Sequence, residues 1–206
     1  MVDRGPESPR VLRLAMDGVR EGSLLAVIGN HDDKLKRRLF GHDVKVAHGL
    51  AESLAELERE GPLFKEQVRR FLDRLPLYYL LDGWRLVAVH AGLKESMQGH
   101  CDRRIREFAL YGDTTGEVDD VGLPIRRNWA EAYRGRATVV HGHVYVEKPV
   151  WLNNVIDVDT GCVFGGALSA LRYPERDLVS VPARRAYWQA LRPPSTLATQ
   201  PNGNAA

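Results

Sequence analysis

Residues 24–32 read Leu-Leu-Ala-Val-Ile-Gly-Asn-His-Asp, an apolar run followed at once by a polar turn. Five consecutive apolar residues at 24–28 are typical of a strand that is buried on both faces. In the turn, Asn30 offers an amide oxygen to a hard cation, and His31 offers an imidazole that exchanges a proton near neutral pH. The stretch therefore predicts a buried strand with functional side chains at its carboxyl end.

Two further histidines follow apolar runs in the same way. His90 comes after 86–89 and His143 shortly after 137–140, each beside small residues that let a loop approach a ligand closely. In open sheets, ligands bind outside the carboxyl ends of the strands. We therefore predict that Asn30, His90 and His143 bind a metal. An amide oxygen with two imidazoles suits Mn²⁺, Fe²⁺, Zn²⁺ or Co²⁺ better than Mg²⁺ or Ca²⁺.

Asp3 and Arg4 allow two interpretations. With Pro6 they fit a surface turn, in which the carboxylate caps the backbone and the guanidinium is solvated. They also fit a functional pair, in which Asp3 orients His31 and Arg4 clamps two phosphate oxygens. The residues alone leave both interpretations open.

Polar residues also accompany the later apolar runs. Asp157 and Asp159 stand on one face at the end of 155–158, where they fit either turn capping or support of a ligand histidine. His141 precedes His143 by two positions and therefore shares its side of the strand. We predict Asp159 and His141 as residues that support the metal ligands.

Length and composition exclude several classes of protein. A chain of 206 residues with 44% hydrophobic and 27% charged residues is long enough for one domain with a sizeable core. Its net charge of +2 does not argue for nucleic-acid binding. Cys101 and Cys162 follow no zinc or redox spacing, which indicates free thiols. Without a membrane span or signal peptide, the chain is predicted to be cytoplasmic and to have no membrane partner.

Hydrophobic periodicity predicts helices that alternate with short strands. The irregular, charge-rich stretch 93–136 predicts a loop-bearing insertion over the site. From 191 onward, Pro, Ser, Thr, Asn and Gly dominate, which predicts a disordered tail at 191–206. The predicted helices are 8–22, 34–40, 46–60 and 62–75, and the predicted strands are 77–81, 85–90, 137–141, 150–158, 168–173 and 178–181.

Four short motifs occur in a characteristic order. They are Asp3-Arg4-Gly5, Gly29-Asn30-His31-Asp32, His90-Ala91-Gly92 and Gly142-His143. In this order and at these separations they resemble the calcineurin-like metallophosphoesterases, in the phosphoprotein-phosphatase branch. Residues 111–135 and 159–182 more closely resemble the phosphatase domain of bacterial polynucleotide kinase-phosphatases, which heal RNA ends. The resemblance covers nearly everything from residue 2 to about 185.

The resemblance implies a fold and a set of roles. The expected fold is an α/β metallophosphoesterase β-sandwich flanked by helices (α/β/β/α) over residues 1–190. The implied ligands of the second metal of a two-metal site are Asn30, His90 and His143. By the same resemblance His31 protonates the leaving oxygen, Asp3 holds its imidazole, Arg4 binds the phosphate and Asp159 supports the site. Manganese is the expected metal, with iron, zinc, nickel or cobalt as alternatives, and a hydroxide between the metals attacks phosphorus.

The sequence also departs from the family pattern. The family binds its first metal through Gly-Asp-x-His-Gly and shares an Asp of Gly-Asp-x-x-Asp-Arg-Gly between both metals, and neither full motif is in the chain as given. We therefore expect a domain that is truncated at its amino terminus. Such a domain lacks the first strand, the first helix and the first-metal ligands, and we expect impaired activity.

Several functions remain open at this point. The main prediction is a metal-dependent phosphomonoesterase that acts on 2′- or 3′-phosphate ends of RNA or DNA. One alternative is a protein serine/threonine phosphatase or a dinucleoside-tetraphosphatase, because the same kind of site serves all three. Another is a non-catalytic remnant or subunit that binds nucleic-acid ends or a kinase or ligase partner.

Overall fold

The computed structural model describes residues 1–195, and the chain falls into two compact units, Met1–Leu77 and Tyr78–Ala206. The first unit is helical, and the second contains the strands. The predicted α/β class is therefore confirmed. Among the described residues, no helix is long and apolar enough to cross a membrane.

The first unit, all of which the structure describes, contains helices α1 (Ser8–Glu21), α2 (Asn30–Leu39), α3 (Leu50–Arg59) and α4 (Pro62–Arg74). In α3 and α4 the buried side chains recur every three or four residues and give each helix one buried face. Leu50 and Leu57 do so in α3, and Val68 and Leu72 do so in α4. These side chains are fully buried and pack with Leu12 and others in one apolar core.

Residues 24–28 do not form the predicted strand. Leu24 and Leu25 are 41% and 57% exposed, and Ile28 alone in this run is fully buried. The Ile28 N–H donates to the Pro76 carbonyl at 3.0 Å, but within residues 1–77 no strand pairs with the segment. An apolar run becomes a strand only where a neighbour completes the hydrogen-bond ladder, and the prediction was wrong for that reason.

Asn30 and His31 consequently lie at the start of a helix rather than at the end of a strand. Helix α2 begins at Asn30, earlier than the predicted 34. The Asp32 carboxylate accepts the Gly29 N–H at 3.0 Å, and a carboxylate at this position stabilises the first turn of a helix.

The second unit contains one α-helix, α5 (Arg103–Tyr111), three short 3-10 helices and three sheets among its described residues. The strands are β1 (Tyr78–Leu81), β2 (Leu86–Val89), β3 (Thr114–Val118), β4 (Pro124–Arg126), β5 (Thr138–His141), β6 (Val150–Leu152), β7 (Val155–Asp157), β8 (Ala167–Arg172) and β9 (Asp177–Pro182). The main sheet has the order β1-β2-β5-β7-β6, and β3–β4 and β8–β9 are antiparallel hairpins. Five of the six strands predicted for residues 77–181 are confirmed, and the sixth, 150–158, is the hairpin β6–β7.

Strand direction in the main sheet positions the functional residues. β2 pairs with β5, and β5 with β7, in parallel, whereas the outer strands are antiparallel. The carboxyl ends of the three central strands therefore meet at one edge of the sheet. His90 follows β2 directly, His141 ends β5, and Asp157 ends β7 opposite His141.

The predicted loop insertion at 93–136 is largely regular structure. The Asp102 carboxylate accepts the Ile105 N–H at 2.7 Å and caps α5, whose buried face carries Ile105, Phe108 and Ala109. The β3–β4 hairpin follows, with an irregular register. Short strands with few apolar residues leave little periodic pattern, so the sequence did not predict them.

The predicted tail at 191–206 lies only partly within the described residues. The Arg192 carbonyl accepts the Tyr145 hydroxyl at 2.6 Å, and the Ser195 N–H donates to the Tyr145 carbonyl at 2.9 Å. Residues 196–206 lie outside the described part of the chain, so disorder of the tail stays a prediction.

Candidate active site

In the first unit, Asp3 and His31 form a buried hydrogen-bonded pair. Asp3 Oδ2 lies 2.5 Å from His31 Nδ1, and the carboxylate is fully buried while the imidazole is 22% exposed. Asp3 Oδ1 accepts the Ser53 hydroxyl at 2.8 Å, and the Ser53 oxygen in turn accepts the Asp3 N–H at 2.9 Å. Both carboxylate oxygens are therefore engaged. The arrangement fixes the orientation of the imidazole, as the predicted functional pair requires.

The backbone that carries this pair is strained. Asp3 and Arg4 have φ angles of 71° and 64°, and a left-handed conformation costs a non-glycine residue about 1–3 kcal/mol. Gly49 packs against them so closely that a Cβ there would overlap the Arg4 nitrogen and lie 2.9 Å from the Asp3 Cβ. Gly49, also left-handed with φ 98°, therefore lets the Asp3–Arg4 turn approach the start of α3.

His48 is a neighbour of this pair that the sequence did not indicate. Burial first, and then the positive charges of Arg4 and Lys34 and the nearby His31, lower the pKa of His48 from its ordinary value. His48 stands in an irregular segment with no periodic pattern around it, so the sequence gives no sign that it lies near the pair.

In the second unit, His90 and His143 bring two ring nitrogens together. His90 Nε2 lies 3.0 Å from His143 Nδ1, and the ring centroids are 4.8 Å apart at 64°. His143 has a left-handed backbone, with φ 77°. Its N–H donates to Asp159 Oδ2 at 3.1 Å, while Asp159 Oδ1 accepts the Gly161 N–H at 3.1 Å. The Asp159 carboxylate thus holds the loop that presents His143.

These two imidazoles fit a divalent cation. Two nitrogens that each lie about 2.1 Å from one metal ion stand roughly 3.0–3.4 Å apart for right-angled or tetrahedral ligands. The observed 3.0 Å separation is of that size. Among residues 1–195, no cluster of three or more His, Cys, Asp or Glu side chains forms a metal site. His90 and His143 are therefore a partial donor set, and Asn30 lies at the start of α2 in the first unit.

His141 and Asp157 are buried neighbours on adjacent strands. They pair in register between β5 and β7, and they are 9% and 1% exposed. Burial lowers the pKa of His141 to about 4 and raises the pKa of Asp157 to about 8. Asp157 Oδ1 accepts the Asp159 N–H at 2.9 Å, and Oδ2 has no hydrogen-bond partner among the described residues. Near neutral pH both side chains are therefore largely uncharged.

Arg126 is the other residue that the sequence missed. It ends β4, and its Nη2 lies 3.0 Å from His143 Nε2. Burial first, and then the charge of Arg192, lower the pKa of this guanidinium from its ordinary value. No signal in the sequence separates Arg126 from its neighbour Arg127, because only the fold brings β4 to His143.

Comparison with known proteins identifies the class. A family model described as calcineurin-like phosphoesterase matches residues 1–179. The chain therefore belongs to the calcineurin-like phosphoesterases, which are metal-dependent hydrolases of phosphoesters.

Its relatives include tetraphosphatases. A bis(5′-nucleosyl)-tetraphosphatase (asymmetrical) of Anoxybacillus flavithermus is 44% identical over 191 residues, which cover 91% of this chain and 78% of the relative. The protein of the same name in Geobacillus thermodenitrificans is 46% identical over 187 residues, with 89% and 76% covered. A crystal structure of a candidate diadenosine tetraphosphatase is similar with a TM-score of 0.62 and 27% identity, and the match covers 88% of this chain and 77% of that chain. These relatives do not support the finer prediction of kinship with polynucleotide kinase-phosphatases.

Replacement of Gly49 tests the strained turn. We expect Gly49→Ala to lower the free energy of unfolding by about 2–4 kcal/mol, because the new Cβ overlaps the Asp3–Arg4 backbone. Gly41→Ala is the matched control, since Gly41 has φ 84° but nothing within 4 Å of the added Cβ. Its loss should stay near 1 kcal/mol. Equal losses in urea denaturation would show that the close approach is not a constraint.

Replacement of Asp157 tests the buried neutral carboxyl. Its pKa is raised to about 8, so the folded state keeps a proton that the unfolded chain releases above its ordinary pKa of 3.8. Stability from this group is therefore lost as pH rises toward 8, by up to about 1.4 kcal/mol per pH unit. Asp157→Asn removes that dependence, so its stability relative to the parent should rise between about pH 5 and pH 8.

The histidine beside Asp157 does not disturb this comparison. The pKa of His141 is lowered to about 4, so its contribution is lost as pH falls below 6.5, and it is common to both proteins. Asp120→Asn, at an exposed loop position, is the control. A difference between Asp157→Asn and the parent that stays constant with pH in denaturant titrations would contradict the raised pKa.

Proposed function

We propose that the chain is a metal-dependent hydrolase that cleaves dinucleoside tetraphosphates asymmetrically, to a nucleoside monophosphate and a nucleoside triphosphate. The observation that carries the proposal is the similarity of 44% over 91% of the chain to an asymmetrical bis(5′-nucleosyl)-tetraphosphatase. The chain also has the side-chain groups that phosphoryl transfer needs: a carboxylate-oriented imidazole and a pair of imidazoles spaced for a cation.

His31 is the proton donor in this proposal. The buried Asp3 carboxylate accepts the proton on Nδ1, which fixes the tautomer and leaves Nε2 for the leaving group. The Ser53 hydroxyl donates to the other oxygen of the same carboxylate. Asp3 therefore keeps its position when His31 gives its proton to the leaving group. Arg4 follows on the same strained turn, and we assign it to a phosphate oxygen of the substrate.

His90 and His143 hold the cation in this proposal, with manganese as the first metal to try, and the ligand role of Asn30 stays a prediction from the sequence. A divalent cation bound there neutralises charge on the phosphoryl oxygens and acidifies a water. The protein's own part is to keep His90 and His143 at the observed spacing. Asp159 does so by accepting the His143 N–H, and Asp157 in turn by accepting the Asp159 N–H.

The leaving group distinguishes a tetraphosphatase from an RNA-end phosphatase or a protein phosphatase. Asymmetric cleavage expels a phosphate group, which is a far weaker base than the alkoxide released from a sugar phosphate or a phosphoserine. A weak base leaves with little help from an acid, so a tetraphosphatase depends less on His31 than an RNA-end or protein phosphatase does.

Product analysis tests the substrate. With Mn²⁺, the purified chain should convert diadenosine tetraphosphate to AMP and ATP, and EDTA should abolish the reaction. Chromatography of the products separates this outcome from symmetrical cleavage, which gives only ADP. A higher kcat/KM on a 3′-phosphorylated oligonucleotide than on the tetraphosphate would overturn the proposal in favour of nucleic-acid end healing.

Replacement of His31 tests the acid. We expect His31→Ala to lower kcat on p-nitrobenzyl phosphate, an alkyl ester, by about 100-fold or more, and on diadenosine tetraphosphate by roughly tenfold or less. Asp3→Asn should show the same ordering with smaller losses. His42→Ala, at an exposed histidine of the same unit, should change neither rate. Equal losses on both esters would remove His31 from the role of acid.

A further inference from the structure

Arg126 differs from the other cations around it by lacking a carboxylate partner. Its Nε donates to the Tyr111 carbonyl at 2.9 Å and its Nη1 to the Pro124 carbonyl at 3.3 Å, while Nη2 lies 3.0 Å from His143 Nε2. Among the described residues, no carboxylate lies within salt-bridge distance of this guanidinium. Its neighbour Arg127, by contrast, lies 3.8 Å from the Asp113 carboxylate.

Hydrogen-bonding rules fix the roles in the Arg126–His143 contact. A guanidinium only donates, so His143 Nε2 must be the acceptor. A neutral imidazole that accepts at Nε2 carries its proton on Nδ1, and here Nδ1 faces His90 Nε2 at 3.0 Å. The described state is thus a relay in which Arg126 donates to His143, and His143 donates to His90.

A cation on His143 is incompatible with this relay. A metal ligand must be an unprotonated nitrogen. If Nδ1 binds the cation that His90 shares, the proton of the neutral ring moves to Nε2. Nε2 and Arg126 Nη2 are then both donors, and their hydrogen bond cannot persist. Metal binding at His143 therefore releases one face of the Arg126 guanidinium.

The groups around Arg126 favour an anion as its partner once the hydrogen bond to His143 is lost. Arg192, whose charge acts on Arg126, pairs with the Asp119 carboxylate and also donates to the Leu123 carbonyl at 3.1 Å. Arg192 thus has a carboxylate partner in Asp119, whereas Arg126 has none among the described residues. The Tyr145 hydroxyl holds the Arg192 carbonyl at 2.6 Å, which keeps this second charge in place. A phosphate would supply the missing negative charge and the planar pair of oxygens that arginine binds best.

We propose that Arg126 binds a phosphate of the polyphosphate chain other than the one attacked, and that His143 restrains Arg126 until the cation is loaded. The proposal rests on the proposed tetraphosphatase activity and adds to it the residue that distinguishes polyphosphates from monoesters. A monoester has no second phosphate and makes no use of Arg126. The same linkage predicts that Arg126 competes with the cation for His143, which is a property of the free protein.

Metal affinity and substrate preference test the proposal together. In Arg126→Met, Mn²⁺ should bind about threefold to tenfold more tightly by calorimetry, since the competing hydrogen bond is gone. The kcat/KM for diadenosine tetraphosphate should fall about tenfold or more, while that for p-nitrophenyl phosphate changes less than twofold. Arg127→Met, the exposed neighbour, is the matched control and should alter none of these values.

Imidazole nitrogen NMR of the unsubstituted protein tests the relay without any variant. Metal-free protein should show His143 with an unprotonated Nε2, and a diamagnetic cation such as Zn²⁺ should move the proton to Nε2. The resonance is assigned by its loss in His143→Gln. A protonated Nε2 before metal addition, or unchanged or weaker Mn²⁺ affinity in Arg126→Met, overturns the restraint.

The activity measurements distinguish a failure of this inference from a failure of the proposed function. Equal losses on both substrates in Arg126→Met overturn the role of Arg126 in distinguishing polyphosphates, even if the tetraphosphatase activity stands. If the parent cleaves no tetraphosphate, the proposed function fails and the phosphate assignment of Arg126 fails with it. The restraint by His143 is then judged by metal affinity and NMR alone.

Discussion

The parallel alignment of β2, β5 and β7 is the constraint on which the second unit depends. Because these strands run in one direction, the segments that follow them leave the sheet at the same edge. His90 follows β2 there, and the short segment after β5 places His143 beside it, so that two ring nitrogens come within 3.0 Å. Asp159 follows β7 at that edge and holds the His143 backbone. Reversal of any one of these strands would carry its residue to the opposite edge.

Both functional clusters combine a left-handed backbone with a hydrogen bond that holds it. Asp3 and His143 have φ angles of 71° and 77°, which cost non-glycine residues about 1–3 kcal/mol. Ser53 accepts the N–H of Asp3, and Asp159 accepts the N–H of His143. A buried side-chain hydrogen bond of this kind contributes about 1 kcal/mol and sets a direction that packing alone does not. The geometry of both clusters therefore depends on Ser53 and Asp159, to which no part in the reaction is assigned.

Hydrophobic periodicity, which is a local pattern, predicted the helices of the first unit. Histidines after apolar runs predicted the approach of His90 to His143, and the family resemblance implied the Asp3–His31 pair. The strand at 24–28 was wrong, because a strand depends on a partner that the run itself does not specify. Arg126 was missed for the same reason. It becomes a candidate functional residue only because the fold brings its hairpin, which has few apolar residues, into contact with His143.

Arg126 and Arg192 of the second unit bear on the number of charges that the substrate carries. A monoester presents a single phosphate, whose charge one bound cation can largely neutralise. A tetraphosphate bridge carries about four negative charges, and each phosphate beyond the attacked one is costly to desolvate unless a fixed cation meets it. Arg192 pairs with Asp119, whereas Arg126 has no carboxylate partner among the described residues and keeps an unneutralised positive charge. A free arginine beside a metal ligand would also repel the cation during loading. Its hydrogen bond to a neutral His143 keeps the guanidinium in one place in the metal-free protein, and the loaded cation then supplies the free energy that frees it for the substrate.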